Sequence, residues 1–173
     1  MNENPSRVVS PFDNPVQFGF GIASNVDTHL QRAAQLVASR EASLAALNDA
    51  YQEAPDQVET LVAMFKLLFY QGETDKAEAL VEEALSKAAC QGGFTSDWHC
   101  LEQATAEWSD PRGAGRLYLY SLKALAFIRL RQDDLVAARE ILQAIRRIDP
   151  DDQVGADVIR DLLEGVEGEC DDG

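Results

Sequence analysis

Few residues in this sequence have side chains that could carry out chemistry. The chain has two histidines and three cysteines among its 173 residues. Cys90, His99 and Cys100 lie near one another around a Gly-Gly pair, but three donors without a fourth ligand or CxxC spacing make a weak pattern for a metal site. His29 lies far in sequence from every cysteine, so a Cys-His catalytic pair is not indicated. We therefore interpret Cys90 and Cys100 as ordinary buried small residues.

Sequence motifs for catalysis are also missing. The chain has no Gly-rich phosphate loop, no dinucleotide-binding fingerprint and no HExxH zinc motif. We expect a protein that is not an enzyme and that uses no cofactor and no metal. Three cysteines without paired spacing fit a reducing compartment better than a disulfide framework.

The net charge of the chain argues against some kinds of binding partner. The 15 Lys and Arg residues are outnumbered by 30 Asp and Glu residues, which gives a formal net charge of −15. Nucleic acids and anionic membranes attract proteins with excess positive charge instead. No apolar run approaches the ~18 residues of a membrane span, and the N-terminus has no secretory-signal pattern. We expect a soluble cytoplasmic protein that binds neither nucleic acid nor membrane.

The clearest structural pattern is a helix-turn-helix unit at residues 58–85. Apolar residues recur there at three- and four-residue spacing, first up to Gly72, where a helix would end on a left-handed residue, and then beyond it. The first face contains Leu61, Met64, Phe65, Leu68 and Phe69, and the second contains Ala77, Leu80, Val81, Ala84 and Leu85. We predict two antiparallel helices joined by a tight turn.

The second helix of this unit resembles the tetratricopeptide repeat. A small residue at Ala77, a larger apolar one at Val81 and a second small one at Ala84 follow a Gln-Gly turn. Comparable triplets stand 34 residues earlier, at Ser43, Leu47 and Ala50, and 61 residues later, at Ala138, Leu142 and Ile145. The family period is about 34 residues, so the longer offset implies an insertion, in which Trp98, Leu101, Ala104 and Trp108 predict a short helix.

The resemblance implies an all-α fold, a TPR-like helical-hairpin array of about three helix pairs with an inserted short helix and a C-terminal capping helix. We divide the chain into an extended N-terminal arm at residues 1–25, a TPR-like α-helical domain at 26–166 and an acidic tail at 167–173. Periodicity leaves open whether residues 27–54 form one helix or two. The cap has six apolar residues that we place on one face, namely Val154, Val158, Ile159, Leu162, Leu163 and Val166.

In tetratricopeptide repeats the first helix of each pair lines a concave groove that binds partners. The resemblance implies a basic and aromatic groove on this chain, formed by Arg32, Lys66, Phe69, Tyr70, Tyr120, Lys123, Phe127 and Arg131. Such a groove suits a protein or peptide partner with acidic and apolar side chains. We expect a protein–protein interaction module, an adaptor or a chaperone-like protein. The alternative that these aromatic residues belong to the core and that the bases are solvated stays open.

The N-terminal arm has an unusual content of aromatic residues. Phe12, Phe18 and Phe20 lie among prolines and glycines that cannot sustain a helix. Three phenylalanines in so short a stretch are rare in a disordered tail, so we expect the arm to dock in extended form. The alternative function is therefore a self-associating structural subunit, a homodimer in which the arm fills the groove of its neighbour.

Overall fold

The computed structural model describes residues 40–171, and every regular element within that range is helical. The helices are α1 (Arg40–Glu53), α2 (Val58–Tyr70), α3 (Thr74–Gly92), α4 (Ala114–Arg131), α5 (Leu135–Ile148) and α6 (Asp157–Asp171). The prediction of an all-helical fold is confirmed for this part of the chain. The predicted arm and residues 27–39, on which the choice between one helix and two depends, lie outside the described residues.

The turn between α2 and α3 ends the first helix as Gly72 predicts. Gly72 N donates to Phe69 O (3.0 Å), and Glu73 N donates to Leu68 O (3.0 Å). Gly72 has a φ of 78°, a left-handed conformation that costs glycine nothing because it has no Cβ. The paired bonds use carbonyls that the end of a helix would otherwise leave without donors.

The turn between α4 and α5 repeats this geometry. Asp133 N donates to Leu130 O (3.2 Å), and Asp134 N donates to Arg129 O (2.9 Å). All four residues lie 61 positions after their counterparts in the first turn, and Asp133 takes the place of Gly72 with a φ of 64°. The offset predicted from the sequence is therefore the offset between two structurally equivalent turns.

Small residues allow the helices to pack closely. Ala77, Val81 and Ala84 of α3 are fully buried, and Ala138, Leu142 and Ile145 of α5 are buried as well. Helix α3 packs between α2 and α4, α4 packs against α5, and α6 packs against α5 and α4. Phe65 is also fully buried and stacks on Tyr120, with ring centroids 6.3 Å apart. One continuous core thus runs from α2 to α6.

The segment between α3 and α4 does not form the predicted short helix. It contains two single 3-10 turns, Trp98–Cys100 and Gln103–Thr105. The Asp97 carboxylate accepts a hydrogen bond from His99 N (3.1 Å) and starts the first turn, but the backbone becomes extended at Leu101 (ψ 142°) and the helix stops. Helical spacing of apolar residues was therefore misleading here, because Leu101 and Trp108 reach the core from non-helical segments that follow the first and the second turn.

An arginine from α5 holds the first of these turns in place. Arg147 donates through Nε to Leu101 O (3.0 Å) and through Nη2 to Trp98 O (3.1 Å) and His99 O (3.2 Å). A guanidinium has five N–H donors in a fixed plane, which suits three neighbouring carbonyls. The insertion is thus attached to α5 as well as to α3 and α4, the helices that flank it in sequence.

The C-terminal helix begins at Asp157, after Val154, which we placed on its apolar face. Residues 149–156 form a loop in which the buried Asp149 carboxylate accepts from Val154 N (2.8 Å), and the Asp152 carboxylate accepts from Ala156 N (2.6 Å). The helix then continues to Asp171, beyond residue 166, where the predicted domain ends. The predicted apolar face is wrong at three of its six positions. Val154 is buried but lies in the loop before the helix, while Leu162 is 45% exposed and Val166 is 39% exposed.

Candidate functional site

Three of the predicted groove residues form an aromatic cluster at the ends of two helices. Phe69 and Tyr70 occupy the last turn of α2, and Phe127 lies in the last turns of α4. The ring centroids of Phe69 and Phe127 are 4.9 Å apart, and those of Phe69 and Tyr70 are 6.3 Å apart. Such separations are typical of attractive aromatic pairs. We call Phe69, Tyr70 and Phe127 the aromatic cluster.

The aromatic cluster lies between the interior and the surface. Phe69 and Phe127 are half-buried, whereas Tyr70 is 52% exposed. The three rings come together because α2 and α4 both pack on α3 and also contact each other. A ring that is half exposed beside two anchored rings offers apolar area to a binding partner.

Two basic residues lie one helical turn from the aromatic cluster. Lys66 precedes Tyr70 by four residues on α2, and Arg131 follows Phe127 by four residues on α4, a spacing that puts each base on the same side of its helix as the ring. Lys66 is half-buried and Arg131 is exposed. The predicted combination of basic and aromatic side chains is therefore present at this end of α2 and α4.

Tyr120 and Lys123 do not lie on an exposed groove wall. Tyr120 is 7% exposed and Lys123 only 1%. Lys123 Nζ donates to Val154 O (2.7 Å) and lies 5.2 Å from the centroid of the Tyr120 ring. The interpretation of Lys123 as a groove base is wrong. Its amine is buried, and its hydrogen bond connects α4 with the loop before α6.

Burial has a clear effect on the Lys123 amine. Removal from water disfavours the charged form and lowers the pKa of Lys123 to about 8, with Arg116 and Lys66 adding to the decrease and Asp152 opposing it. A lysine that forms a hydrogen bond to a backbone carbonyl in the core contributes to the architecture of the protein. Sequence periodicity did not distinguish it from Lys66, since both are bases within largely apolar helices.

A polar connection beside the second turn has no signature in the periodicity of the sequence. Arg129 Nη2 pairs with Glu78 Oε1 (2.5 Å), and Gln132 Nε2 donates to Glu78 Oε2 (2.8 Å). This connection joins α3 to the end of α4 and commits Arg129 to an intramolecular partner. The remaining predicted groove base, Arg32, lies outside the described residues.

The cysteines differ from their predicted environment. Cys90 and Cys100 are both exposed, so the interpretation of them as buried small residues is wrong. Cys100 Sγ donates to Asp97 Oδ2 (3.4 Å), and His99 Nδ1 lies 2.8 Å from Asp97 Oδ1. The carboxylate raises the pKa of the Cys100 thiol, which keeps it protonated and weakly nucleophilic. Within residues 40–171, no three His, Cys, Asp or Glu side chains are grouped to hold a metal ion.

Comparison with known proteins found no relative of this chain. The chain matches no protein-family model, no curated protein and no solved structure. Among the described helices, none combines the length and the apolar content that crossing a bilayer requires.

Proposed function

We propose that this protein is a protein–protein interaction module of the tetratricopeptide-repeat type, an adaptor or chaperone-like protein that binds a peptide at the ends of α2 and α4. The observation that carries the proposal is the aromatic cluster, which joins two successive units at a ring separation of 4.9 Å and leaves Tyr70 52% exposed. Two equivalent left-handed turns, 61 residues apart, support the repeat architecture.

The chemistry of this surface defines the kind of peptide. Half-exposed rings give apolar side chains a place to bind, and aromatic residues dominate binding energies at protein interfaces. Lys66 and Arg131 supply positive charge on a protein with a formal net charge of −15. A peptide that alternates acidic and apolar side chains would form charge-assisted hydrogen bonds with these bases while its apolar groups pack on the rings. No catalytic step is part of this function.

Peptide selection followed by calorimetry tests the proposal. A displayed library of random peptides is selected against the whole protein, and selected peptides are then titrated into purified variants. We expect Tyr70→Ala to weaken binding about tenfold or more, as for a central aromatic contact. Arg131→Glu should weaken binding and reduce its dependence on salt.

Two exposed residues on α5 provide matched controls. Val136 is 62% exposed, and Arg146 is an exposed arginine of the same helix. Val136→Ala and Arg146→Glu should leave the affinity unchanged. The proposal fails if the selected peptides bind the double variant of Tyr70→Ala and Arg131→Glu as tightly as the unaltered protein. Selected peptides without acidic residues would contradict the chemistry assigned to the partner.

A further inference from the structure

The first described helix begins at the end of the array where the aromatic cluster lies. Helices α1 and α2 are antiparallel, because only residues 54–57 connect them and because Leu47, in the middle of α1, packs in one hydrophobic cluster with Met64, in the middle of α2. Arg40 precedes Leu47 by seven residues, and Tyr70 follows Met64 by six. Each helical residue adds about 1.5 Å, so Arg40 lies level with the last turn of α2. The 39 residues before Arg40 therefore join the array beside the aromatic cluster.

Residues 12–20, with the sequence FDNPVQFGF, have the composition that we propose for the peptide. They contain three phenylalanines and one charged residue, Asp13, and no lysine or arginine lies between residues 8 and 31. Lys66 and Arg131 beside the aromatic cluster are positively charged. The segment and the surface thus have opposite charges, which favours their association.

The spacing of two phenylalanines in this segment matches the spacing of the rings in the aromatic cluster. An extended chain advances about 3.4 Å per residue and places alternate side chains on one side, so an extended arm puts Phe18 and Phe20 about 7 Å apart on the same side. The ring centroids of Phe69 and Tyr70 are 6.3 Å apart, and those of Phe69 and Phe127 are 4.9 Å apart. Phe18 and Phe20 can therefore contact the aromatic cluster at the same time.

The chain between this segment and α1 is long enough to reach the aromatic cluster. A helix over residues 27–39 would be about 20 Å long, and its first residue would lie about 20 Å from Arg40 whether the helix continues α1 or folds back beside it. In extended form the chain from Phe20 to Asp27 spans up to about 24 Å, which covers the return in both cases. Without such a helix the reach is longer still.

We propose that residues 12–20 occupy the aromatic cluster of their own chain and thereby control the access of partners to it. Phe18 and Phe20 pack on the three rings, and Asp13 adds attraction to Lys66 and Arg131. A partner peptide binds only after it has displaced this segment. The tether keeps the segment at an effective concentration on the order of 1 mM, whatever the concentration of the protein. This regulation rests on the proposed function, since it concerns the same surface.

A labelled peptide of residues 8–24 tests whether the chain's own segment occupies the surface. It is titrated by fluorescence anisotropy into the unaltered full chain and into the full-length double variant of Phe18→Ser and Phe20→Ser. We expect saturable binding to the double variant and binding about tenfold or more weaker to the unaltered protein, in which the tethered segment competes.

A second double variant, of Val8→Ser and Val9→Ser, is the matched control for this titration. It also replaces two apolar residues of the arm, but it leaves residues 12–20 intact. The labelled peptide should bind it as weakly as it binds the unaltered protein. Equal affinities for the three chains, or no binding to any of them, would overturn the proposal.

Hydrogen exchange of the full chain tests the location without relying on the folding of the phenylalanine variant. Tyr70→Ala removes an exposed ring of the aromatic cluster, whereas Val136→Ala shortens an exposed apolar side chain of α5. We expect slow exchange of the amides of residues 12–20, about tenfold or more faster exchange in Tyr70→Ala, and no change in Val136→Ala. Fast exchange in the unaltered protein, or the same slow exchange in Tyr70→Ala, would overturn the proposal.

Two results distinguish a failure of this regulation from a failure of the proposed function. Peptides from the random library that depend on Tyr70, but bind the unaltered protein and the variant of Phe18→Ser and Phe20→Ser equally well, would overturn the regulation alone. If the labelled peptide depends on Tyr70 and no library peptide binds, the regulation by the arm is supported and the proposed function fails.

Light scattering tests whether the segment binds its own chain. We expect the unaltered protein and the variant of Phe18→Ser and Phe20→Ser to have the same mass. A dimer that this variant converts to a monomer would show that the segment occupies the aromatic cluster of a second copy, and would overturn the assignment to its own chain.

Discussion

At the scale of single residues, the buried Lys123 makes the free energy of unfolding depend on pH. Its amine is buried, donates to Val154 O (2.7 Å) and has a pKa lowered to about 8 by burial, whereas an exposed lysine has an ordinary value of 10.5. Between these two values the unfolded chain binds more protons at this site than the folded chain does. The free energy of unfolding must therefore rise with pH across this interval.

Replacing Lys123 with methionine should remove that pH dependence. From pH 8 to 9.5 we expect the free energy of unfolding of the unaltered protein to increase by about 2 kcal/mol relative to that of Lys123→Met. Urea denaturation of both proteins at several pH values measures the difference. The series stops at pH 9.5 because burial also raises the pKa of Tyr118 and Tyr120, and these groups would lower stability at higher pH. Parallel curves for the two proteins would contradict the assigned environment of Lys123.

Three of the aromatic residues assigned to the groove lie together, whereas Lys123 does not lie with them. Phe69 and Phe127 meet because α2 and α4 both pack on α3, and the apolar periodicity of those helices can be read from the sequence. The burial of Lys123 depends on Val154, a residue of an irregular loop 31 positions later. No local pattern encodes that contact, because a lysine on a helix face has the same sequence signature whether its amine is exposed or meets a carbonyl of the core.

At the scale of elements, the two equivalent turns differ in the residue that adopts the left-handed conformation. Gly72 has a φ of 78° and Asp133 a φ of 64°. A side chain at such a φ is strained by its Cβ, although aspartate tolerates the conformation better than most residues.

Asp133→Gly should therefore stabilise the protein by about 0.5 kcal/mol, and Gly72→Asp should destabilise it by a similar amount. Midpoints of urea unfolding at neutral pH measure both effects. Asp133 is exposed, so no lost core contact complicates the comparison. Destabilisation by Asp133→Gly would show that the aspartate side chain contributes an interaction that outweighs the strain.

The insertion shows why some elements could not be predicted. Trp98, Leu101, Ala104 and Trp108 have the spacing of an apolar helix face, but Asp97 and Arg147 fix a different backbone through hydrogen bonds. Periodicity detects where apolar side chains recur; it carries no information about a guanidinium that arrives from another helix. The turn at Gly72 was predictable because its geometry is set by residues within the turn itself.

At the scale of the whole molecule, α6 closes one end of the helical array. Ile159 is fully buried against the core, whereas Leu162 is 45% exposed. Ile159→Ala should lower the free energy of unfolding by about 2 to 4 kcal/mol, since it leaves a cavity under the capping helix. Leu162→Ala, a comparable truncation on the same helix, should change it by about 0.5 kcal/mol or less. Similar losses from the two variants would mean that α6 does not cover the core as described.

The N-terminal arm adds a prediction that concerns the chain as a whole. Burial of three phenylalanine side chains in the arm, at Phe12, Phe18 and Phe20, would remove a large apolar area from water. The aromatic cluster offers a surface on which they could pack. Deletion of residues 1–24 should tighten peptide binding at the cluster, or convert a dimer to a monomer. Calorimetry and light scattering on the shortened and full chains measure these effects. Unchanged affinity together with an unchanged mass would show that the arm does not compete for the cluster.

The attachment of the insertion by Arg147 also constrains the order in which the chain folds. Arg147 is 46 residues from Leu101 and 49 from Trp98 in sequence. Helices α2 and α3 are joined by a tight turn and need only local contacts, so they can form early, whereas contacts between distant residues are slow to form. During synthesis the segment around Trp98 leaves the ribosome well before Arg147 does. We therefore expect the turn at Trp98 to reach its final structure only after α5 has formed.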